Sequence, residues 1–200
     1  MPTASDQATR VVIAEDEAII RLDLKELLEE EGYEVVGETG RGDEAVELVR
    51  NLGPDLAILD IKMPGMDGLS AARHIAGERL AAVLILTAFS QRDLVEQARD
   101  AGAMSYIVKP FQKSDLIPAI EVALGRHAEQ SSLESEVRDL AERLEARKII
   151  DRAKGILMDR YGKNEQEAWR FLQTQAMNRR TKVHEVAALV VAGELSPDPA

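Results

Sequence analysis

Between residues 10 and 124 the chain alternates two patterns. Short, nearly continuous apolar runs occur at residues 11–14, 34–37, 56–59, 83–86 and 105–108. Between them lie stretches with apolar residues at helical spacing, clearest at Ile19-Ile20, Leu24 and Leu27-Leu28. Apolar runs without polar alternation fit strands covered on both faces. In a chain that alternates strand with helix, this means a parallel sheet between two helical layers. Gly32, Gly53 and Gly102 stand where intervening helices should stop. The pattern predicts an α/β, doubly wound, five-stranded parallel sheet of flavodoxin-like type over residues 10–124. Its site is expected at the carboxyl ends of the first and third strands, where strand order switches.

Beyond this unit the pattern is helical throughout. Ser114 is placed to cap a helix that carries Pro118 near its first turn and continues past Gly125. Leu133, Val137, Leu140 and Leu144 recur at heptad spacing, so residues 125–146 read as a helical, coiled-coil linker that pairs two copies. From Arg147 onward, Ile149, Ala153, Ile156 and Leu157 form one apolar face that stops at Tyr161-Gly162. Asn164 with Glu167 reads as a capping box opening a second helix, and Thr181 is placed to cap a third with Val186, Ala187 and Val190 inward. Residues 147–192 are therefore expected to form a small three-helix bundle, with flexible tails at 1–9 and 195–200.

Composition narrows the setting. The chain has no cysteine, no apolar stretch near the roughly 20 residues needed to cross a bilayer, and no apolar core in its first residues to serve as a signal peptide. A cytoplasmic protein without membrane contact is expected. The net charge of −11 is unevenly spread: residues 147–191 hold ten cations against five acids, a net of +5 that leaves −16 for the rest. An acidic front and a basic back point to two domains with different partners.

The front domain gathers chemistry at its predicted strand ends. Asp60 closes the run Leu56-Ala57-Ile58-Leu59 and faces the loop Met63-Pro64-Gly65-Met66-Asp67-Gly68. Glu15-Asp16 follows the first strand, and Lys109-Pro110 the fifth. Three converging carboxylates repel one another, and a hard divalent cation such as Mg²⁺ relieves this. Phosphoryl transfer to a carboxylate needs such charge neutralisation. Asp60 is thus a candidate nucleophile, Lys109 a compact countercharge, and Thr87 a hydroxyl within reach of a new phosphoryl oxygen.

These residues resemble the receiver domain of two-component response regulators. The motifs are Glu15-Asp16, Asp60 with the Met63–Gly68 loop, Thr87-Ala88 and Lys109-Pro110-Phe111. The resemblance implies that Asp60 is phosphorylated by a sensor histidine kinase. Mg²⁺ would be held by Asp16, Asp60 and the backbone carbonyl of Lys62, with Glu15 acting through water. It also implies a cis bond before Pro110 and a switch pair of Thr87 and Tyr106. An aspartyl-phosphate phosphatase would carry a second acid two residues after the nucleophile, where Lys62 stands. The chain is therefore read as a phosphoacceptor regulator and not an enzyme, beyond its own phosphorylation and slow dephosphorylation.

In the basic bundle the third helix turns apolar soon after Lys182, His184 and Glu185, which argues against DNA reading in a major groove. Arg147, Lys148, Arg152, Lys154, Arg179, Arg180 and Lys182 are the candidate RNA contacts. Of the aromatics Tyr161, Trp169 and Phe171, the last is assigned to the core, and His184 to the surface. The run Ala153-Lys154-Gly155-Ile156-Leu157-Met158, with Ala176-Met177 downstream, resembles the ANTAR domain of transcription antitermination regulators. That resemblance implies binding of nascent mRNA with paired stem-loops by a phosphorylation-dependent homodimer, acting on RNA polymerase only indirectly. The rival expectation is a phosphorylation-gated protein-interaction switch without RNA.

Overall fold

The computed structural model describes residues 8–88 and 92–197. The expected tails thus fall largely outside the described residues. Compact packing divides the chain after Ser131 into two units. In the first, the elements run β1 (Arg10–Ala14), α1 (Ala18–Glu30), β2 (Glu34–Thr39), α2 (Gly42–Leu52), β3 (Leu56–Asp60), α3 (Gly68–Gly77), β4 (Ala82–Thr87), α4 (Arg92–Asp100) and β5 (Ser105–Val108). The long helix α5 (Lys113–Tyr161) begins here and ends in the second unit, followed by α6 (Glu165–Arg179) and α7 (Val183–Ala192).

The strands form one parallel sheet in the order β2-β1-β3-β4-β5. The side-chain alternation of strands divides its core in two. Val12, Ala14, Ala57, Leu59, Val83 and Ile85 pack on the side of α2 and α3. Val11, Ile13, Ile58, Leu84, Leu24 and Leu116 build the opposite layer with α1 and α5. Burying a side chain of this size stabilises by about 1.5–3 kcal/mol before entropy is counted. The doubly wound expectation is met, and β1, pairing with both β2 and β3, lies at the switch point.

Two strands run one residue further than their apolar runs. Asp60 pairs in register with Leu86, and Thr87 with Val108, so both polar residues are the last rungs of buried strands. Backbone pairing holds them there although apolar patterning ends a residue earlier.

Two helix starts differ from expectation. The helix α5 starts at Lys113, so Ser114 lies inside its first turn and does not cap it; there the Gln112 N–H donates to the Asp115 carboxylate at 3.0 Å. Thr181 does not cap α7, whose cap position is Lys182. Its N–H is committed to the Ala176 carbonyl at 3.0 Å, in the turn that closes α6, and its hydroxyl donates to Glu185. The Asn164–Glu167 capping box is present in both directions, at 2.9 Å each way. The second unit buries Ala153, Leu157, Ala168, Leu172, Val186 and Val190, and Leu195 packs against them.

The loop after β3 is fixed by close backbone approach. A Cβ on Gly68 would lie 1.9 Å from the Asp60 carbonyl oxygen, and one on Gly42 would lie 2.2 Å from that of Met66. The Gly68 N–H also donates to the Ile61 carbonyl at 2.9 Å, and Asp67 caps α3 through the Ser70 N–H at 2.7 Å. Gly68→Ala is expected to destabilise by about 1–3 kcal/mol and to displace Asp60. Chemical denaturation, with phosphorylation measured in parallel, checks both effects.

Candidate functional site

Strand order brings Glu15, Asp60 and Lys109 together at one end of the sheet. They follow or end β1, β3 and β5, far apart in sequence. The Lys109 ammonium lies 2.5 Å from a Glu15 carboxylate oxygen and 2.9 Å from Asp60 Oδ1. Asp60 Oδ2 accepts from the Lys62 N–H at 3.2 Å. The second Glu15 oxygen accepts from the Glu17 N–H at 3.2 Å. Glu15 and Asp60 are buried, whereas Asp16 is exposed at the rim.

Burial pushes the Glu15 carboxyl above the usual carboxylate range. Its hydrogen bond to Lys109 pulls it back, and the Asp60 charge pushes it further up. For Lys109 burial favours the neutral amine, but hydrogen bonds to Glu15 and Asp60 outweigh it and raise the pKa. One cation thus stands against three carboxylates, an imbalance that suits a further cation. Carboxylate oxygens of Glu15, Asp16 and Asp60 all lie within 4.8 Å of one another, a spacing that fits a hard divalent ion.

The remaining site residues from the sequence lie close by in the fold. Thr87 ends β4 and is 3% exposed, and its carbonyl accepts from the Lys109 N–H at 2.7 Å. The Lys109–Pro110 bond is cis, as the resemblance implied. Tyr106 on β5 is 45% exposed, so its ring is not a core aromatic. Sequence reasoning missed Arg21. From the first turn of α1 it donates to the Glu15 carbonyl at 2.5 Å and fixes the acidic turn. The only sequence signal was a cation six residues after the first acid.

The candidate RNA contacts separate into two groups. Arg147 faces Asp151 at 3.9 Å, and Lys148 pairs with Glu145 at 2.7 Å. Lys154 pairs with Asp151 at 3.1 Å and with Glu165 at 2.9 Å, its side chain only 19% exposed. Its hydrogen bonds to Glu165 and Asp151 raise its pKa. Lys154 therefore ties α5 to the start of α6. Arg152, Arg179, Arg180 and Lys182 are exposed and form no ion pair among the described residues. Trp169 is exposed and Phe171 half-buried against the bundle core.

Comparison with known proteins agrees with this geometry. Residues 11–121 match the response regulator receiver domain, and residues 138–191 match the ANTAR domain. The transcriptional regulatory protein PdtaR of Mycobacterium tuberculosis is 59% identical over 182 residues, 91% of this chain and 89% of that protein. The chemotaxis protein CheY of Thermotoga maritima is 41% identical over 56% of this chain and 93% of its own length. Among solved structures, the receiver domain of the putative response regulator NarL from M. tuberculosis superposes with a TM-score of 0.57. It is 30% identical and covers 60% of this chain and 98% of its own. The CheX–CheY–BeF3–Mg complex from Borrelia burgdorferi has a TM-score of 0.53 and is 27% identical, covering 56% of this chain and 85% of its own. No helix among the described residues is long and apolar enough to cross a membrane. The chain belongs to the response regulators, a receiver joined to an ANTAR RNA-binding domain, and is a phosphorylation-controlled antitermination regulator, not an enzyme.

Proposed function

We propose that Asp60 accepts a phosphoryl group in the cytoplasm from the phosphohistidine of a sensor kinase, and that this gates binding of a nascent transcript with paired stem-loops. The observation that carries the reading is the Lys109 ammonium 2.9 Å from Asp60, beside carboxylates of Glu15 and Asp16. A carboxylate oxygen of Asp60 attacks phosphorus as the P–N bond breaks, and the leaving imidazole takes up a proton. The product is an acyl phosphate. Lys109 passes from pairing with Asp60 to pairing with the new phosphoryl oxygens. Mg²⁺, held by Glu15, Asp16, Asp60 and the Lys62 carbonyl, would neutralise charge on the transferring group. The Borrelia complex named above contains both a phosphoryl mimic and magnesium in a related fold.

The Thr87 hydroxyl follows the phosphoryl group, and Tyr106, now outward, follows Thr87. Leu133, Val137, Leu140 and Leu144 are each more than half exposed along α5, a seam open to a second copy. Pairing two chains lets two weak RNA sites act at high effective concentration. Domain limits of 10–124, 125–146 and 147–192 suit this division of labour.

Mg²⁺ binds only the folded site and should raise the thermal midpoint, an effect lost in Asp16→Asn. For Glu15 the raised carboxyl pKa sets the sign. Its stability contribution is full below the ordinary carboxylate range and is lost as pH rises through the folded value. Glu15→Gln should therefore stabilise the metal-free protein at neutral pH while weakening Mg²⁺ binding. Thermal melts with and without Mg²⁺ check both signs; a destabilised Glu15→Gln protein contradicts them.

The gate is tested by binding of a two-stem-loop RNA at fixed salt, with and without beryllofluoride and Mg²⁺. Binding should appear with the phosphoryl mimic, together with dimerisation, and be lost in Asp60→Ala. Equal binding in all cases removes the gate.

A further inference from the structure

The outer face of α6 combines exposed apolar side chains with cations. Trp169, Gln173, Met177 and Arg180 stand at i, i+4, i+8 and i+11, one stripe about 16 Å long. Trp169 is 39% exposed and Met177 77%. They are the exposed large apolar side chains of α6. Arg170 flanks the stripe, and Arg179 and Lys182 extend its far end.

Charge says what kind of partner fits. From Ala168 to Lys182 the chain contains no acid. The two acids at the start of α6 are committed within the bundle. Glu165 is held by Lys154 at 2.9 Å, and Glu167 closes the capping box on the Asn164 N–H, also at 2.9 Å. On α5, Arg147, Lys148 and Lys154 face neighbouring acids and Arg152 does not; Arg170, Arg179, Arg180 and Lys182 likewise form no ion pair among the described residues. Arg180 also adopts the left-handed conformation, φ +53, at the end of α6. Glycine takes this conformation at the ends of α2 and α7. Arg79 takes it just after α3 as well, so the conformation places the Arg180 cation at the end of the stripe without singling it out.

Resting on the reading that this bundle binds RNA, we propose that the α6 stripe reads unpaired loop bases, with Trp169 as the stacking platform. Sequence-specific RNA recognition acts on bases splayed from loops and stacked on aromatic rings. Gln173, one turn along, carries both a donor and an acceptor for a base edge. Met177 covers the next base, and Arg170 and Arg180 hold the flanking phosphates. Lys154 is a positioning residue: by neutralising Glu165 it keeps the stripe free of negative charge and α6 seated on α5.

Trp169 is the only tryptophan in the chain, so its emission reports on the stripe directly. Full-length protein loaded with beryllofluoride and Mg²⁺ is used to enrich RNA from a pool of two-stem-loop molecules with randomised loops. An enriched RNA is then labelled and titrated. Anisotropy of the RNA and quenching of Trp169 should saturate together. Trp169→Ala should weaken binding by about tenfold or more, and Trp169→Phe by no more than about threefold. Gln173→Ala should change the loop sequence that is enriched. Thermal melts confirm folding; should Trp169→Ala not fold, the quenching and the Gln173→Ala selection decide. RNA that binds without changing Trp169 emission, and equally to a folded Trp169→Ala protein, overturns the α6 inference but leaves RNA binding intact. A pool from which nothing is enriched removes the RNA reading and this inference with it.

Discussion

The site depends on one largely buried ammonium, its side chain 12% exposed. Lys109 Nζ stands between Glu15 and Asp60, two carboxylates that are all but removed from water. Without it, the ends of β1 and β3 would carry adjacent buried negative charges. Such an arrangement either takes up a proton or forces the strands apart. Even with it, the cluster keeps an excess of negative charge; burial first, and then the Asp60 charge, raise Glu15, while Asp16 stands open at the rim. The site is thus stable enough to exist and unbalanced enough to favour a divalent cation and a phosphoryl group. The same cation holds the acceptor in place and meets the charge that phosphorylation adds.

Everything around this contact serves to hold it. Parallel pairing keeps Asp60 and Thr87 as the last rungs of buried strands. Gly68 and Gly42 allow the loop after β3 to touch the backbone of its neighbours, and Arg21 closes the turn after β1 from the other side. The sheet supplies rigidity, and the polar groups at its rim supply the chemistry. A switch needs both, because a change at Asp60 shifts an equilibrium only if the two states differ in their contacts.

Much of this was legible in the sequence. Alternating apolar runs gave the parallel sheet, and acids or a lysine at the ends of three runs gave the site. Less legible were features that arise only when distant segments meet. Arg21 reaches a carbonyl, a contact that leaves no pattern in side-chain chemistry. Thr181 reads as a helix cap until the turn closing α6 claims its N–H. Lys154 reads as a free cation within a basic segment, yet pairs with Glu165 from the following helix. Net charge counted along a sequence misses such pairing.

The central claim is that Asp60, held by Lys109, is the acceptor. It is tested most directly by treating the chain with Mg²⁺ and phosphoramidate, a small donor with a P–N bond, then locating the adduct by peptide mass spectrometry after reductive trapping. A single Mg²⁺-dependent phosphoryl group on Asp60, strongly reduced in Lys109→Ala, is the expected result. An adduct on another residue, or one formed on Asp60 equally well without Mg²⁺ and Lys109, would contradict it.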